Sequence, residues 1–441
     1  MNKHFLKRIR DNIPEPLKYI TAPIFRNRLV RNTNFQFYYD LLSNNRMSND
    51  EQLEFQFGQL KNVLNYAYKN VPYYTNLFNK INFNPNSVTA LNDIEVLPLL
   101  TKNTIKENFD NLTSKEKVPG GYYVATTGGT SGEPLRVLLD YNSIFKESAF
   151  VYFFRKKLGY RFEDKLVTFR GLEFGRHLWK YNPMYNELVF SPFKLSKLTV
   201  QQYLEKITQF NPRYLNGYMS SLYLFAKLLE ESNAQIKLKL KGIFLISENI
   251  DKTERKFLED FFCVKTMTFY GHSERCVIAE EKENGLYSVS PFYGYTELIK
   301  HTNGYEIVST GFLNQTMPLI RYQTGDICEK EKDLIAIHGR WTNEDYLLGL
   351  NNEKVFPSAF NFHSNIFQHV SNYQFLQEEK GKSKLMLIVN KDFKISELAV
   401  MKREIDKKTK DVIDFEIKVV DNLILTPRGK FKRFVTNNKR D

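Results

Sequence analysis

Residues 122–140 read YYVATTGGTSGEPLRVLLD. Two apolar runs, 122–125 and 135–139, flank nine residues of Thr, Gly, Ser, Glu and Pro. The runs are short and partly β-branched, so they read as strands rather than helix. The connector is longer and more flexible than a plain hairpin turn requires. Gly128, Gly129 and Gly132 leave backbone N–H groups bare of side chains, and Thr126, Thr127, Thr130 and Ser131 add hydroxyl donors. Successive N–H groups in turn conformations make anion-binding nests, so such a loop can wrap phosphate oxygens. A Walker A loop needs a lysine and leads into a helix; this one has no lysine and leads into a strand. The plain alternative is a flexible polar hairpin loop.

Composition narrows the class. The chain has 441 residues, 42% hydrophobic and 26% charged, enough for one large domain with ample core and a smaller one beside it. Cys263, Cys276 and Cys328 form neither a C-x-x-C pair nor an even set, which fits reduced core thiols and a cytoplasmic setting. Seven scattered histidines give no zinc spacing. No apolar run reaches the roughly 18–20 residues that span a bilayer, and residues 1–10 (MNKHFLKRIR) are not followed by the apolar stretch of a signal peptide.

The net charge is +13, and its ends carry most of it. Residues 1–34 hold a surplus of six Lys/Arg over Asp/Glu and residues 428–441 a surplus of five, so eleven of the thirteen lie there. A nucleic-acid binder would spread basic residues over a face with stacking aromatics, and no such role is expected. Basic ends suit an anionic membrane surface or an anionic substrate. In residues 1–34 the apolar positions Phe5, Leu6, Ile9, Ile13, Leu17 and Ile20 recur at mostly helical spacing, with Pro14 and Pro16 dividing them into two short pieces. This segment reads either as a basic amphipathic foot peripheral on an anionic membrane or, more simply, as a segment packed on its own domain.

Further along, helical spacing over residues 51–68 stops at Asn70-Val71-Pro72, and Thr101 stands as a helix N-cap in LPLLTKNTIKEN. Residues 141–158, 198–210, 216–231 and 251–262 read as helices, alternating with strands at 165–169, 242–246 and 266–269. That alternation predicts an α/β domain with a substantially parallel sheet. In such sheets ligands sit beyond the carboxyl ends of strands, where Ser247-Glu248 and residues 270–274 (YGHSE) both fall. After Asp326 the pattern changes to a small α+β unit, with strands at 373–376, 385–389 and 415–420 and a helix at 396–408.

Residues 127–134, TGGTSGEP, resemble the phosphate-binding loop of adenylate-forming enzymes, roughly [ST]-S-G-T-T-G-x-P. Gly128 stands where that pattern has a hydroxyl residue. Leu135 follows the Pro where many acyl-coenzyme A synthetases carry Lys, as the phenylacetate–coenzyme A ligase branch and its CapK-like capsule-biosynthesis relatives would show. The segments N-V-P-Y-Y (70–74) and P-L-L-T-K (98–102) are similar to that branch too. YGHSE resembles the family's aromatic-G-x-[ST]-E motif. This implies Tyr270 flanking adenine, Gly271 within the nucleotide site, Ser273 touching phosphate and Glu274 binding Mg²⁺. Ser247-Glu248 matches the small-residue-Glu element beside adenine. MPLIRYQTGD (317–326) closely resembles P-L-I-R-Y-x-T-G-D, whose Asp, here Asp326, takes both ribose hydroxyls; Arg321 within it is either a ligand contact or an internal ion-pair partner. Gly339-Arg340, followed by Asp345, is similar to the hinge G-R-x-x-D with looser spacing, and VFP (355–357) to the V-x-P after it. TPRGK (426–430) resembles a shortened terminal P-R-x-x-G-K, making Lys430 the cation swung in for adenylation.

The resemblance implies a fold of class α/β: a large N-terminal ATP- and acid-binding domain, residues 1–339, with mostly parallel sheets and a β-hairpin phosphate loop, then a small mobile α+β C-terminal domain, residues 340–441. It implies an ATP- and Mg²⁺-dependent ligase that makes an acyl adenylate. The acceptor would be a sugar or polysaccharide precursor in cell-surface glycan biosynthesis, or coenzyme A. The catalytic set is Lys430, Glu274 and Arg340, and Phe174, His177, Trp179 and Tyr218 are candidates to line the acid pocket. A non-catalytic nucleotide-binding scaffold is the alternative from another class. The acid itself is not written in the sequence.

Overall fold

The computed structural model describes residues 15–126, 135–172, 174–283, 285–302, 304–339, 346–351, 353–355, 365–367, 369–409, 412–426, 429 and 431–436. Local chemistry places the first helices. Asn32 accepts from the Asn34 and Phe35 amides to start helix Thr33–Ser43, and Ser48 with Glu51 forms a reciprocal capping box for Asn49–Asn70. That helix ends at Val71, whose successor Pro72 occupies the first turn of Pro72–Lys80, where its missing N–H costs nothing. Thr101 caps Lys102–Glu107 through its hydroxyl, as the sequence predicts.

The starting stretch forms an antiparallel hairpin, β1 (Tyr122–Thr126) and β2 (Arg136–Asp140), in register from Tyr122 opposite Asp140 to Thr126 opposite Arg136. Its inner residues Leu135, Val137, Leu138 and Leu139 share a core with Leu60, Leu64, Tyr74, Leu100 and Tyr322. Asp140 then caps helix Tyr141–Lys156 through the Ser143 amide and also accepts from the Gln315 amide at 2.9 Å.

The main sheet has twelve strands among the described residues. They are β3 (Leu166–Phe169), β4 (Trp179–Asn182), β5 (Glu187–Phe190), β6 (Tyr214–Gly217), β7 (Gly242–Leu245), β8 (Thr266–Gly271), β9 (Ile278–Glu283), β10 (Leu286–Val289), β11 (Gly294–His301), β12 (Gly304–Gly311), β13 (Tyr322–Glu331) and β14 (Leu334–Gly339). Their order is β11-β12-β13-β14-β10-β9-β8-β7-β6-β3-β5-β4. β5, β3, β6, β7 and β8 run parallel, each of the inner ones fully buried, with helices returning the chain. From β8 onward every pairing is antiparallel. The α/β class is therefore as expected, while "mostly parallel" describes the first half of the sheet only. Hairpin connections of two residues after β9, β11 and β13 leave no room for the crossover that a parallel neighbour needs. The expected helix 216–231 is shorter, Met219–Glu231, because Asn216 and Gly217 complete β6.

Beyond Gly339 lie a short ladder, β15 (Leu347–Leu348) with β16 (Lys354–Val355), and a separate four-stranded sheet. This sheet comprises β17 (Val370–Glu379), β18 (Lys382–Val389), β19 (Asp414–Val419) and β20 (Phe434–Thr436), ordered β19-β18-β17-β20. Helix Ser396–Thr409 covers it through Met401 and Ile405, over its own core of Phe375, Leu385, Leu387 and Phe415.

Residues 1–14 lie outside the described set. From Glu15 to Val30 the chain is one helix, with Pro16 in its first turn, where proline is tolerated, and Pro23 inside it. It packs on the large unit: Ala22 and Leu29 are buried, Tyr19 stacks on Tyr181 with ring centroids 4.0 Å apart, and Arg26 donates to the Phe162 carbonyl. Leu17, Ile20 and Ile24, at helical spacing on the other face, are exposed. Cys263, expected in the core with Cys276 and Cys328, is instead the exposed left-handed C-cap of Lys252–Phe262. None of the helices among the described residues is long and apolar enough to cross a membrane.

Arg321 fastens the segment before residue 100 to β11. Its Nε lies 3.1 Å from both Glu297 carboxylate oxygens and its Nη2 2.7 Å from Oε1, while Nη1 donates to the Glu95 and Leu97 carbonyls. It is the internal ion-pair partner, not a ligand contact. Replacing one member of a buried pair leaves the other charge unpaired, which costs about 3–5 kcal/mol. Arg321→Met is therefore expected to lower the urea unfolding free energy by that amount, and a loss under about 1 kcal/mol in equilibrium denaturation would contradict the assignment.

Candidate functional site

Parallel pairing aligns the carboxyl ends of neighbouring strands: Phe169 of β3 lies opposite Gly217 of β6, Gly217 opposite Leu245 of β7, and Leu245 opposite Thr268 of β8. Gly217 is required there, since a Cβ would sit 2.6 Å from the Phe169 carbonyl oxygen. Tyr218, Ser247-Glu248 and residues 270–274 consequently leave the sheet along one edge. The chain bends sharply at this edge. Ser247, Arg275 and Arg321 all hold left-handed φ angles (62°, 56° and 52°) without being glycine, the kind of backbone cost that collects at functional sites.

Two hydrogen bonds tie this edge to β13. Tyr270 Oη donates to Asp326 Oδ2 at 2.7 Å, and Tyr322 Oη donates to Glu274 Oε1 at 2.7 Å. Asp326 is buried within β13 at a register shift beside Gly325, whose φ of 77° favours glycine, and its amide donates to the Thr324 hydroxyl. Glu274 is buried as well. His272 Nδ1 lies 3.2 Å from Glu274 Oε2, within ion-pair reach though misaligned for a hydrogen bond, and neither ring nitrogen has a hydrogen-bond partner among the described residues. Burial pushes the Glu274 carboxyl up, but the charge of His272 and the Tyr322 hydroxyl outweigh it and hold it at about 2. Ser273 and Gly271 lie on the same stretch, both exposed.

Glu248 has a visible structural role. Its Oε2 accepts the Ser220 amide and its Oε1 the Ser220 hydroxyl, both at 2.9 Å, pinning the first turn of helix Met219–Glu231. The structure thus brings together Ser247, Glu248, Tyr270, Gly271, Ser273, Glu274 and Asp326. Thr127, Gly128, Gly129, Thr130, Ser131 and Gly132 lie outside the described residues, as do Arg340, Asp345 and Lys430; the pairing of Thr126 with Arg136 fixes the base of the loop that carries the first six. Of the acid-pocket candidates, Tyr218 is at this edge, whereas Trp179 packs on Phe190 at the outer strand β4 and Phe174 pairs with His177 on the preceding link. The spacing of those three carried no geometric information.

The chain around residue 430 reaches the same edge. Leu425 bridges Phe431, and the Gly429 amide donates to the Thr426 carbonyl to close a turn. Gly429, at φ 70°, rests against β3's end: a Cβ there would lie 2.6 Å from Gly171 Cα and 2.9 Å from Pro192 Cγ. Sequence reasoning missed Tyr322 as the donor that orients Glu274, although it lies inside the MPLIRYQTGD run, and missed Gly429 as a contact of backbone on backbone.

No family model matches the chain. It is 26% identical over 420 residues to Protein CapK of Staphylococcus aureus, an alignment covering 91% of this chain and 92% of that protein. It is 24% identical over 361 residues to phenylacetate-coenzyme A ligase of Escherichia coli (strain K12), covering 75% and 80%. Its fold is similar to a crystal structure of 2-hydroxyisobutyryl-CoA ligase in the postadenylation state in complex with R3-HIB-AMP, with a TM-score of 0.67 at 14% identity over 89% of this chain and 90% of that one. The resemblance to the adenylate-forming superfamily, in its CapK and phenylacetate–coenzyme A ligase branch, is borne out.

A carboxyl held below its unfolded value stabilises the fold above that unfolded value, about 4.3, and the contribution is lost as pH falls toward the folded one. With Glu274 at about 2, Glu274→Gln should cost most stability at neutral pH and progressively less below about pH 4.5. Urea titrations of both proteins at several pH values check this; a difference that grows on acidification is the contrary result.

Proposed function

From the chain's alignment with the CapK and phenylacetate–coenzyme A ligase branch of the adenylate-forming superfamily along most of its length, we propose that it is an adenylate-forming ligase. A carboxylate oxygen attacks the α-phosphorus of ATP and the α–β phosphoanhydride breaks, so that pyrophosphate leaves. An acceptor nucleophile then takes the acyl group and AMP leaves with the bonding pair. The observation carrying this reading is the pair of hydrogen bonds, Tyr270 to Asp326 and Tyr322 to Glu274, that set two carboxylates at one strand-end edge.

Within it, Asp326 accepts the ribose hydroxyls, as a carboxylate beside a Gly turn can for a diol. Ser247, Glu248, Tyr270 and Gly271 bound the adenine, and Thr127, Gly128, Gly129, Thr130, Ser131, Gly132 and Ser273 hold the phosphates through amides and hydroxyls. Glu274 Oε2, with no hydrogen-bond partner among the described residues, fits a hard oxygen-seeking cation. Mg²⁺ needs only one or two carboxylates beside substrate phosphates, so the lack of a three-residue metal cluster among the described residues is no objection. The ion would supply charge neutralisation of the triphosphate. Lys430 meets the charge developing at the α-phosphate, and Arg340 opens the hinge on which residues 340–441 swing between half-reactions.

For the acceptor we favour a sugar or polysaccharide precursor in cell-surface glycan biosynthesis, with coenzyme A as the alternative. The supporting observation is the helix Glu15–Val30: its exposed Leu17, Ile20 and Ile24 follow a basic segment, suited to a cytoplasmic enzyme peripheral on the anionic inner face of the membrane.

ATP–pyrophosphate exchange with a panel of aryl, hydroxy and short-chain acids tests the reading. Exchange is expected with at least one acid, and Lys430→Ala is expected to lower it roughly 10²–10³-fold, the effect of losing one charge-stabilising donor. No exchange with any acid would favour the scaffold alternative. Robust thioester formation from free acids and coenzyme A would replace the glycan acceptor.

A further inference from the structure

The C-terminal unit reaches the large unit through a loop whose construction is specific. Buried Gln374 of β17 ties both arms together: its Nε2 donates to the Ile424 and Lys432 carbonyls, and its Oε1 accepts the Ile424 amide. The arms pair at Leu425 and Phe431, and Gly429 at the tip lies on Gly171 and Pro192. Contact around this tip is incomplete, since a cavity of ≈ 110 Å³ opens between Pro192, Ser220 and Ser221 on one side and Asn372, Leu425 and Phe431 on the other. Apolar packing alone therefore does not fix the loop.

Polar contacts bridge the gap. Two residues past the cavity wall, Arg433 Nη2 lies 3.2 Å from Glu254 Oε1 in the first turn of Lys252–Phe262. The Arg433 guanidinium also lies over Tyr373, 4.3 Å from its ring centroid, a cation–π contact with its own unit. A second bridge runs from Ser371 to Glu231 and from Lys197, itself paired with Glu231 at 3.2 Å, to the Val389 carbonyl at 3.4 Å. Glu254 is much the more buried of its pair, and Asp251 and Glu248 add negative charge around it. Burial lifts its carboxyl to about 7 even though Arg433 pulls it down.

We propose that Arg433 is a positioning residue for adenylation: paired with Glu254, it seats the turn around Gly429 against the carboxyl end of β3. Its consequence for catalysis rests on the reading of Lys430 given above, because residue 430 lies between Gly429 and Phe431 in the chain. The pair acts in the first half-reaction alone, since the second requires the C-terminal unit to have moved away.

The test uses the full chain and two independent readouts: small-angle X-ray scattering for docking, and rates of the two half-reactions for chemistry. Arg433→Glu is expected to expand the protein in scattering and to lower pyrophosphate exchange about 10²-fold, the order expected when a catalytic group is misplaced by about 1 Å. Acyl transfer from a preformed acyl adenylate should stay within about twofold. The swapped pair, Glu254→Arg with Arg433→Glu, is expected to recover both compactness and exchange to within about tenfold. Lys430→Ala should lose exchange while remaining compact, which separates positioning from chemistry. Unchanged scattering in Arg433→Glu, or equal loss of both half-reactions without recovery in the swap, overturns the proposal. Should the wild type show exchange with no acid, the enzymatic reading fails, and the scattering comparison still decides whether the pair seats the loop.

Discussion

Everything at the site depends on how one mixed sheet is joined across its change of direction. β8 is the last parallel strand and β9 begins the antiparallel half, and the turn between them carries His272, Ser273 and Glu274. β13 reaches that turn after a long detour through the antiparallel half. The Tyr270–Asp326 and Tyr322–Glu274 hydrogen bonds close the distance, each joining a phenol to a carboxylate. Charge-assisted bonds of this type are roughly twice as strong as neutral ones, and in a buried setting they also fix direction. Each carboxylate thus arrives with one oxygen committed to the fold. That is the preorganisation a site needs if it is to meet a nucleotide without spending binding energy on ordering its own side chains.

The cost of this arrangement is visible in the backbone. Arg275 directly follows Glu274, and Arg321 directly precedes Tyr322, and both hold φ angles that L side chains rarely adopt. Each is over-determined by its ion pair: Arg275 Nε with Glu147 at 2.7 Å and its Nη1 with the Ser143 hydroxyl, Arg321 with Glu297. Strained residues persist where surrounding contacts outweigh the strain. Here the arginines are anchors on either side of the two crosslinks, and their guanidinium forks supply the geometry that a lysine would not.

Much of this was legible in the sequence. Short apolar runs bounded by turn residues marked β1, β2, β3, β7 and β8, and a hydroxyl cap marked the helix start at Thr101, while the carboxyl cap Asp251 shows only in the structure. Placement of Ser247-Glu248 and residues 270–274 after strands followed from alternation alone. What escaped had physical reasons. β6 is a four-residue buried run, and such runs cannot be told from the first turn of a helix by periodicity. β11 and β12 hide their period because Glu297, Ser309 and Thr310 are buried polar residues on strands, satisfied by partners far along the chain. Tyr322 belongs with Glu274 only once residues 48 apart are folded together, and no local pattern records that.

The loop around Gly429 illustrates the same limit from the other side. Its lysine and its glycine are both in a recognisable run, yet the run says nothing of why it can be short. The answer is backbone against backbone: Gly429 and Gly171 are both without side chains, so two chains approach more closely than any other residue pair would allow. A shorter loop then reaches as far as a longer one bearing bulk at its tip. Close approach of this kind is unforgiving in one direction and weak in the other. It excludes a side chain at Gly429, whose Cβ would meet Gly171 Cα at 2.6 Å, yet the cavity beside it shows that it does not fill the contact between the units. If residues 340–441 swing between half-reactions as proposed, a contact that forms and releases is better served by such a shape match, locked by a few polar pairs, than by an extensive apolar interface whose opening would expose core.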